Sequence, residues 1–207
     1  MKTNLIIFLL LALIPGPLSA SGKKWLIYER CELTEDEKGM DGDSFSVKAL
    51  TGYTYLFQLH GVECPDADTG SESRMTTQAK AFKIDKKEVN KWGVKADQFA
   101  KNFLSEPFTV YTQKVKASGS GSKSRYYAII VNSEGKRLDE ALMEAGLARS
   151  YGKGAGWDKP FWGKTKADLP RKIDADRFLT KLRLLQNKAK RKKVGIWGAK
   201  DLSLIHI

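Results

Sequence analysis

Residues 41–66 read DGDSFSVKALTGYTYLFQLHGVECPD, and this stretch decides the fold. Phe45, Val47 and Ala49 alternate with polar neighbours, the period-two signature of a half-buried strand over 44–50. Thr51-Gly52 turns the chain, and the aromatic, β-branched run 53–62 predicts a second strand. The stretch is therefore a hairpin with Asp41-Gly42-Asp43 at its entrance and Glu63-Cys64-Pro65-Asp66 at its exit. Whether the carboxylates of Asp43, Glu63 and Asp66 and the guanidinium of Arg125 converge on one cleft is the question this reading puts to the structure.

Outward from the hairpin, residues 24–31 predict a preceding strand and 32–40 an acidic loop. The segment 65–90 is polar and lysine-rich and is expected to be a long surface excursion with some helix. Ala96, Phe99, Ala100, Phe103 and Leu104 recur at helical spacing over 94–104. Strands are expected at 108–115 and 126–131, separated by the Ser/Gly loop 117–122. Leu138, Ala141, Leu142 and Ala145 mark a helix stopped by Gly146. The Gly-, Lys- and Pro-rich stretch 152–170 predicts a loop, and 173–192 a long helix with Phe178, Leu182, Leu185 and Ala189 on its apolar stripe. Five short strands with an interposed helix predict an α+β protein, a five-stranded OB-type barrel with about three helices and no second core.

The two ends read separately. Lys2, the ten-residue apolar run Leu5–Ile14, the breaker Pro15-Gly16-Pro17 and small Ser19, Ala20 and Ser21 form a secretory signal peptide over 1–20. The run is half the roughly 20 residues needed to span a bilayer. The expected localisation is secreted or periplasmic, with no membrane association after cleavage. Residues 202–207 turn abruptly apolar and read as a non-native, adapter-derived tail, which leaves 21–201 as one domain.

The 207-residue chain carries a formal net charge of +12, which points to a polyanion partner. Cys31 and Cys64 are its two cysteines; in an oxidising compartment they could pair, and sequence leaves that open. Two cysteines and two histidines argue against zinc.

The Asp41-Gly42-Asp43-Ser44 turn, the segment Gly61-Val62-Glu63-Cys64-Pro65-Asp66 and Arg125 before a late strand stand in a fixed order. With them stand the helix 138–148 and the closing Lys-x-x-x-Gly-Ile-Trp that ends at Trp197. Together they resemble the staphylococcal nuclease (thermonuclease) family over nearly all of 25–197. The resemblance implies an OB barrel, Ca²⁺ as cofactor, and hydrolysis of phosphodiester bonds in DNA and RNA, with single strands preferred. It also implies a monomer without a stable protein partner. By position it makes Asp43, Glu63 and the backbone carbonyl of Cys64 metal ligands. Asp66 would activate or orient the attacking water. Arg125 and the residue at Gln58 would hold the phosphate, and Lys123 and Tyr151 would contact the nucleic acid.

The chemistry suits such an assignment: hard oxygen ligands favour Ca²⁺, and arginine's planar fork matches a phosphate. Three positions depart from the family pattern. Glu63 replaces an aspartate, Asp66 a glutamate, and neutral Gln58 an arginine. Losing one strong donor to a transition state costs roughly 10²–10³ in rate. His60 lies on the same strand face as Gln58 and, protonated, could return part of that charge; the plainer expectation is a half-exposed strand residue. The alternative function is a catalytically impaired OB-fold nucleic-acid-binding protein. Tyr126 and Tyr127 could also stack on bases, although Tyr127 is expected to point into the barrel.

Overall fold

The computed structural model describes residues 25–34, 41–68, 71–117, 124–151 and 177–199. Strands β1 (Leu26–Leu33), β2 (Ser44–Lys48), β3 (Thr54–Leu59), β5 (Phe108–Lys116) and β6 (Tyr126–Val131) close a barrel in the order β1-β2-β3-β6-β5. All pairings are antiparallel except β3 with β6, which run parallel. This is the five-stranded OB-type α+β barrel expected from the sequence.

Gly61, at φ +77°, ends β3 and turns the chain into a separate short strand, β4 (Val62–Glu63). The single strand expected over 53–62 is thus two. Strand β4 leaves the barrel and pairs with β7 (Arg149–Ser150), which places Glu63 opposite Arg149.

Four α-helices are described, one more than expected. The excursion after Pro65 contains α1 (Glu72–Phe82), capped by Ser71, whose hydroxyl accepts from the Arg74 N–H. Helix α2 (Val89–Phe103) begins five residues before the expected Val94, because Val89 and Trp92 find an apolar cluster to pack on. Helix α3 (Leu138–Glu144) is where the pattern placed it, and α4 (Phe178–Lys192) buries Phe178, Leu182 and Ala189.

The main core joins Phe57, Leu59, Phe108, Val110 and Ile129 of the barrel to Leu138, Leu142, Phe178 and Leu182 of the helices. A smaller cluster, absent from the sequence expectation, gathers Ala79, Phe82, Ile84, Val89 and Ile196. Trp197 packs on it, 5.6 Å from Phe82 between ring centroids. Burying a phenylalanine such as Phe82 contributes about 1.5–3 kcal/mol, enough to anchor α1 to the domain.

Among the described residues no helix is long and apolar enough to cross a membrane. Outside the described residues lie the expected leader 1–20, residues 35–40 of the expected acidic loop, most of the expected 117–122 loop with Lys123, the expected loop 152–170, the first residues of the expected 173–192 helix, and the expected 202–207 tail.

Candidate active site

The hairpin rim carries the site. β2 begins at Ser44, opposite Gln58 of β3, and Gln58 in turn pairs with Tyr127 of β6. This register sets Asp43, Gln58 and Arg125 at one end of the barrel, with β4 leading Glu63, Cys64 and Asp66 past the same end.

Asp43 is buried, at 3% exposure. Its Oδ1 accepts from Ser44 Oγ at 3.1 Å, and its Oδ2 from the Cys64 backbone N–H at 2.9 Å. Ser44 Oγ in turn accepts from Arg125 Nη1 at 2.9 Å. A chain of hydrogen bonds therefore runs from the guanidinium through a hydroxyl to the carboxylate, and across it to the backbone of the exit segment. Burial pushes the Asp43 carboxyl above its ordinary range, against hydrogen bonds that favour the charged form.

Asp41, which sequence reasoning assigned no role, belongs to this cluster. Its Oδ1 accepts from the Asp43 N–H at 3.3 Å. Its carboxyl stands well above the usual value, through burial first and then the charge of Asp43, with Asp66 adding more. Glu63 is raised as well, mainly by burial; the Arg149 guanidinium opposes the shift, and Arg149 Nε and Nη2 both bond Glu63 Oε2, the Nε at 2.5 Å. Burial thus favours the neutral forms of Asp41, Asp43 and Glu63, and a bound cation would favour the charged ones.

The oxygens on hand are of the kind a hard divalent cation takes: the carboxylates of Asp41, Asp43 and Glu63, and the Cys64 carbonyl, which accepts from Gln78 Nε2 at 3.3 Å. Among the described residues no three acid, His or Cys side chains already gather as a metal cluster. A cation here would therefore draw on one or two carboxylates, a carbonyl and waters, which the flexible oxygen coordination of Ca²⁺ accepts.

Asp66, 5% exposed, is held from several directions. Arg74 of α1 grips it with two bonds, one from Nε to Oδ2 and one from Nη2 to Oδ1, the latter at 2.8 Å. Gln78, one turn further along α1, donates from Nε2 to Asp66 Oδ1 and accepts the Asp66 N–H at Oε1, both at 2.9 Å. The same Nε2 reaches the Cys64 carbonyl at 3.3 Å. Gly93 of α2 packs so closely that an added Cβ would sit 2.2 Å from the Asp66 carbonyl oxygen. The excursion expected to lie on the surface is therefore part of the site's wall.

Of the residues expected at the site, hydrogen bonds link Arg125 through Ser44 to Asp43 and Cys64, and Gln78 joins Cys64 to Asp66; Gln58 is the strand partner of Ser44, and Glu63, next to Cys64, is held by Arg149. Tyr151, 39% exposed, follows β7, with the Arg149 guanidinium 5.2 Å from its ring. Lys123 lies outside the described residues. His60 departs from both expectations: it is 3% exposed, edge-on to Tyr127 at 5.2 Å and 5.9 Å from Phe178. Burial lowers its pKa to about 4, so it is neutral near pH 7 and returns no charge beside Gln58. Tyr127 points inward as expected. Cys31 and Cys64 are both buried free thiols; burial pushes Cys31 up to about 11 and Cys64 well above its ordinary value.

Sequence reasoning missed Asp41, Ser44, Arg74, Gln78 and Arg149. The i,i+4 spacing of Arg74 and Gln78 behind the Ser71 cap was the available signal for the two on α1.

A family model described as staphylococcal nuclease homologue matches residues 57–160, a span that takes in Gln58, Glu63, Cys64, Asp66, Arg125 and Tyr151. A comparison with curated proteins finds no match.

Proposed function

As the chain belongs to the staphylococcal nuclease homologue family, we propose that it is a Ca²⁺-dependent hydrolase of phosphodiester bonds in DNA and RNA. The observation that carries this reading is the hydrogen-bonded line Arg125–Ser44–Asp43–Cys64, which sets a guanidinium and a buried carboxylate side by side.

Asp43, with Glu63 and the Cys64 carbonyl, would hold the cation, and Asp41 supports it. A bound Ca²⁺ would neutralise phosphate charge and present a water as nucleophile. The chain's own residues do the positioning. Arg125, steadied on Ser44, takes a non-bridging phosphate oxygen through its planar fork. Gln58 donates an uncharged amide hydrogen bond to the same group. Asp66 has about four acceptor sites and uses three on Arg74 and Gln78, which leaves one to orient a water. Tyr151 offers an exposed ring for a base to stack on.

The basic chain and its signal peptide fit a secreted or periplasmic enzyme meeting free nucleic acid. The test is cleavage of single-stranded DNA by the purified protein with Ca²⁺ and with EDTA, against Asp43→Ala. Metal-dependent cleavage that falls at least 10²-fold in Asp43→Ala is expected, the scale seen on removing one transition-state stabilising group. Equal turnover in all arms would refute the reading.

One observation favours the alternative, a binder without turnover: Gln58 is neutral, and Glu63 and Asp66 are both engaged by arginines. That reading predicts salt-dependent binding and no cleavage at all.

A further inference from the structure

We propose that Arg74 of α1 is the second phosphate-binding cation of this cleft, replacing the charge that Gln58 lacks, with Asp66 and Gln78 as its holder. The inference rests on the nuclease reading above and names the group that completes it.

Three features point to Arg74. First, it stands at the acid cluster, where it feels the charges of Asp66, Glu63 and Asp43 together. Second, its geometry leaves a face available. Asp66 takes Nε and one Nη2 proton, so both Nη1 protons and the second Nη2 proton are left over. The side chain is 52% exposed while its carboxylate partner is 8% exposed, so the guanidinium is the outward member of the pair. A structural ion pair sealed into a core would hide both. Third, the holder is built: Gln78 is 1% exposed, and its amide is committed to Asp66 and Cys64 rather than to its own helix.

Placement on the rim agrees. Arg125 approaches Asp43 from the Oδ1 side through Ser44. The segment carrying Asp66 and Arg74 lies beyond the Cys64 N–H, on the Oδ2 side. Asp43 is thus linked to Arg125 through one oxygen and to the backbone of the Asp66 segment, which Arg74 holds, through the other. Gln58, on β3, contributes no charge to either.

The test uses purified protein with a single-stranded oligodeoxynucleotide and Ca²⁺. Arg74→Gln keeps a donor for Asp66 and loses the charge; Arg74→Ala loses both. Each is expected to lower kcat/KM by roughly 10²–10³-fold. Gln58→Arg in the Arg74→Gln background should recover at least about tenfold of that loss, and in the native background should gain little. A second readout needs no cleavage. In EDTA, the slope of log binding constant against log salt should shrink by about 0.7 in Arg74→Gln, the value for one phosphate contact on a single strand. Unchanged kcat/KM with an unchanged slope overturns the proposal. So does a large gain from Gln58→Arg in native protein, or absence of recovery in the double variant. If native protein cleaves nothing, the nuclease reading fails by itself, and the salt slope still decides Arg74.

Discussion

The Gln78 side-chain amide and Asp66 form a closed two-way pair: Nε2 donates to Asp66 Oδ1 and Oε1 accepts the Asp66 N–H, each at 2.9 Å. One helix residue thus sets both the backbone and the carboxylate of the proposed water-orienting acid. Gln78→Leu keeps the volume and strands a buried N–H and a carbonyl. The expected cost is about 1–3 kcal/mol per buried group left without a partner, read as a lower urea midpoint. Turnover should fall as well, because a misplacement of about 1 Å at a reacting group can cost on the order of 10²-fold.

Gly93 bounds the same acid from behind. With a Cβ 2.2 Å from the Asp66 carbonyl oxygen, Gly93→Ala must push α2 and the 64–68 segment apart. Helix propensity alone would favour alanine by about 0.8–1 kcal/mol. Overpacking costs typically 1–3 kcal/mol, so net destabilisation is expected, with a loss of cleavage larger than the loss of folded protein. Thermal unfolding and kcat on the same sample check it.

Cation binding should depend on pH in a defined direction. Asp41, Asp43 and Glu63 all have carboxyls raised above their ordinary values, chiefly by burial. Between the ordinary carboxylate range and those raised values, the folded, metal-free protein binds more protons than the unfolded chain. Its stability falls as pH rises from the ordinary carboxylate range through the raised values. Ca²⁺ must displace those protons, so its affinity should climb over the same interval by up to about tenfold per pH unit for each proton displaced. Calorimetry in buffers of different ionisation enthalpy measures the protons released. Asp41→Asn should reduce that number, and an unchanged number would argue against any part for Asp41 in cation binding.

His60 acts in the opposite sense. Its pKa, lowered to about 4 from an ordinary 6.5, means that the unfolded chain takes up a proton which the folded protein refuses. The resulting stability is present in full above pH 6.5 and is lost as pH falls towards 4. The total is about 3 kcal/mol at 1.36 kcal/mol per unit. His60→Leu should flatten that part of the acid limb in a plot of unfolding free energy against pH, relative to native protein.

Much of the architecture was legible along the chain, because strand and helix periods are local. Phe45, Val47 and Ala49 announced β2, and Phe178, Leu182 and Ala189 announced α4. The Asp-Gly-Asp turn and the Glu63–Asp66 segment located the rim by their place on a hairpin, and the barrel register then joined them to Arg125. Helix α1 was harder to read, since its apolar residues are few and serve a small cluster that forms only when Val89 and Ile196 come together.

The sequence by itself determined which charges this protein possesses: a basic chain, acids on both sides of one hairpin, and an amide at position 58. Tertiary structure alone decided which of those charges meet. Glu63 is answered by Arg149, 86 residues away, and Asp66 by Arg74 on a helix that looked like surface. His60 is neutral near pH 7 because the fold buries it beside Tyr127 and Phe178. The reason is physical: a residue's type fixes its chemistry, but its ionisation and its partners depend on burial and on distances of a few ångströms, which only the folded chain sets.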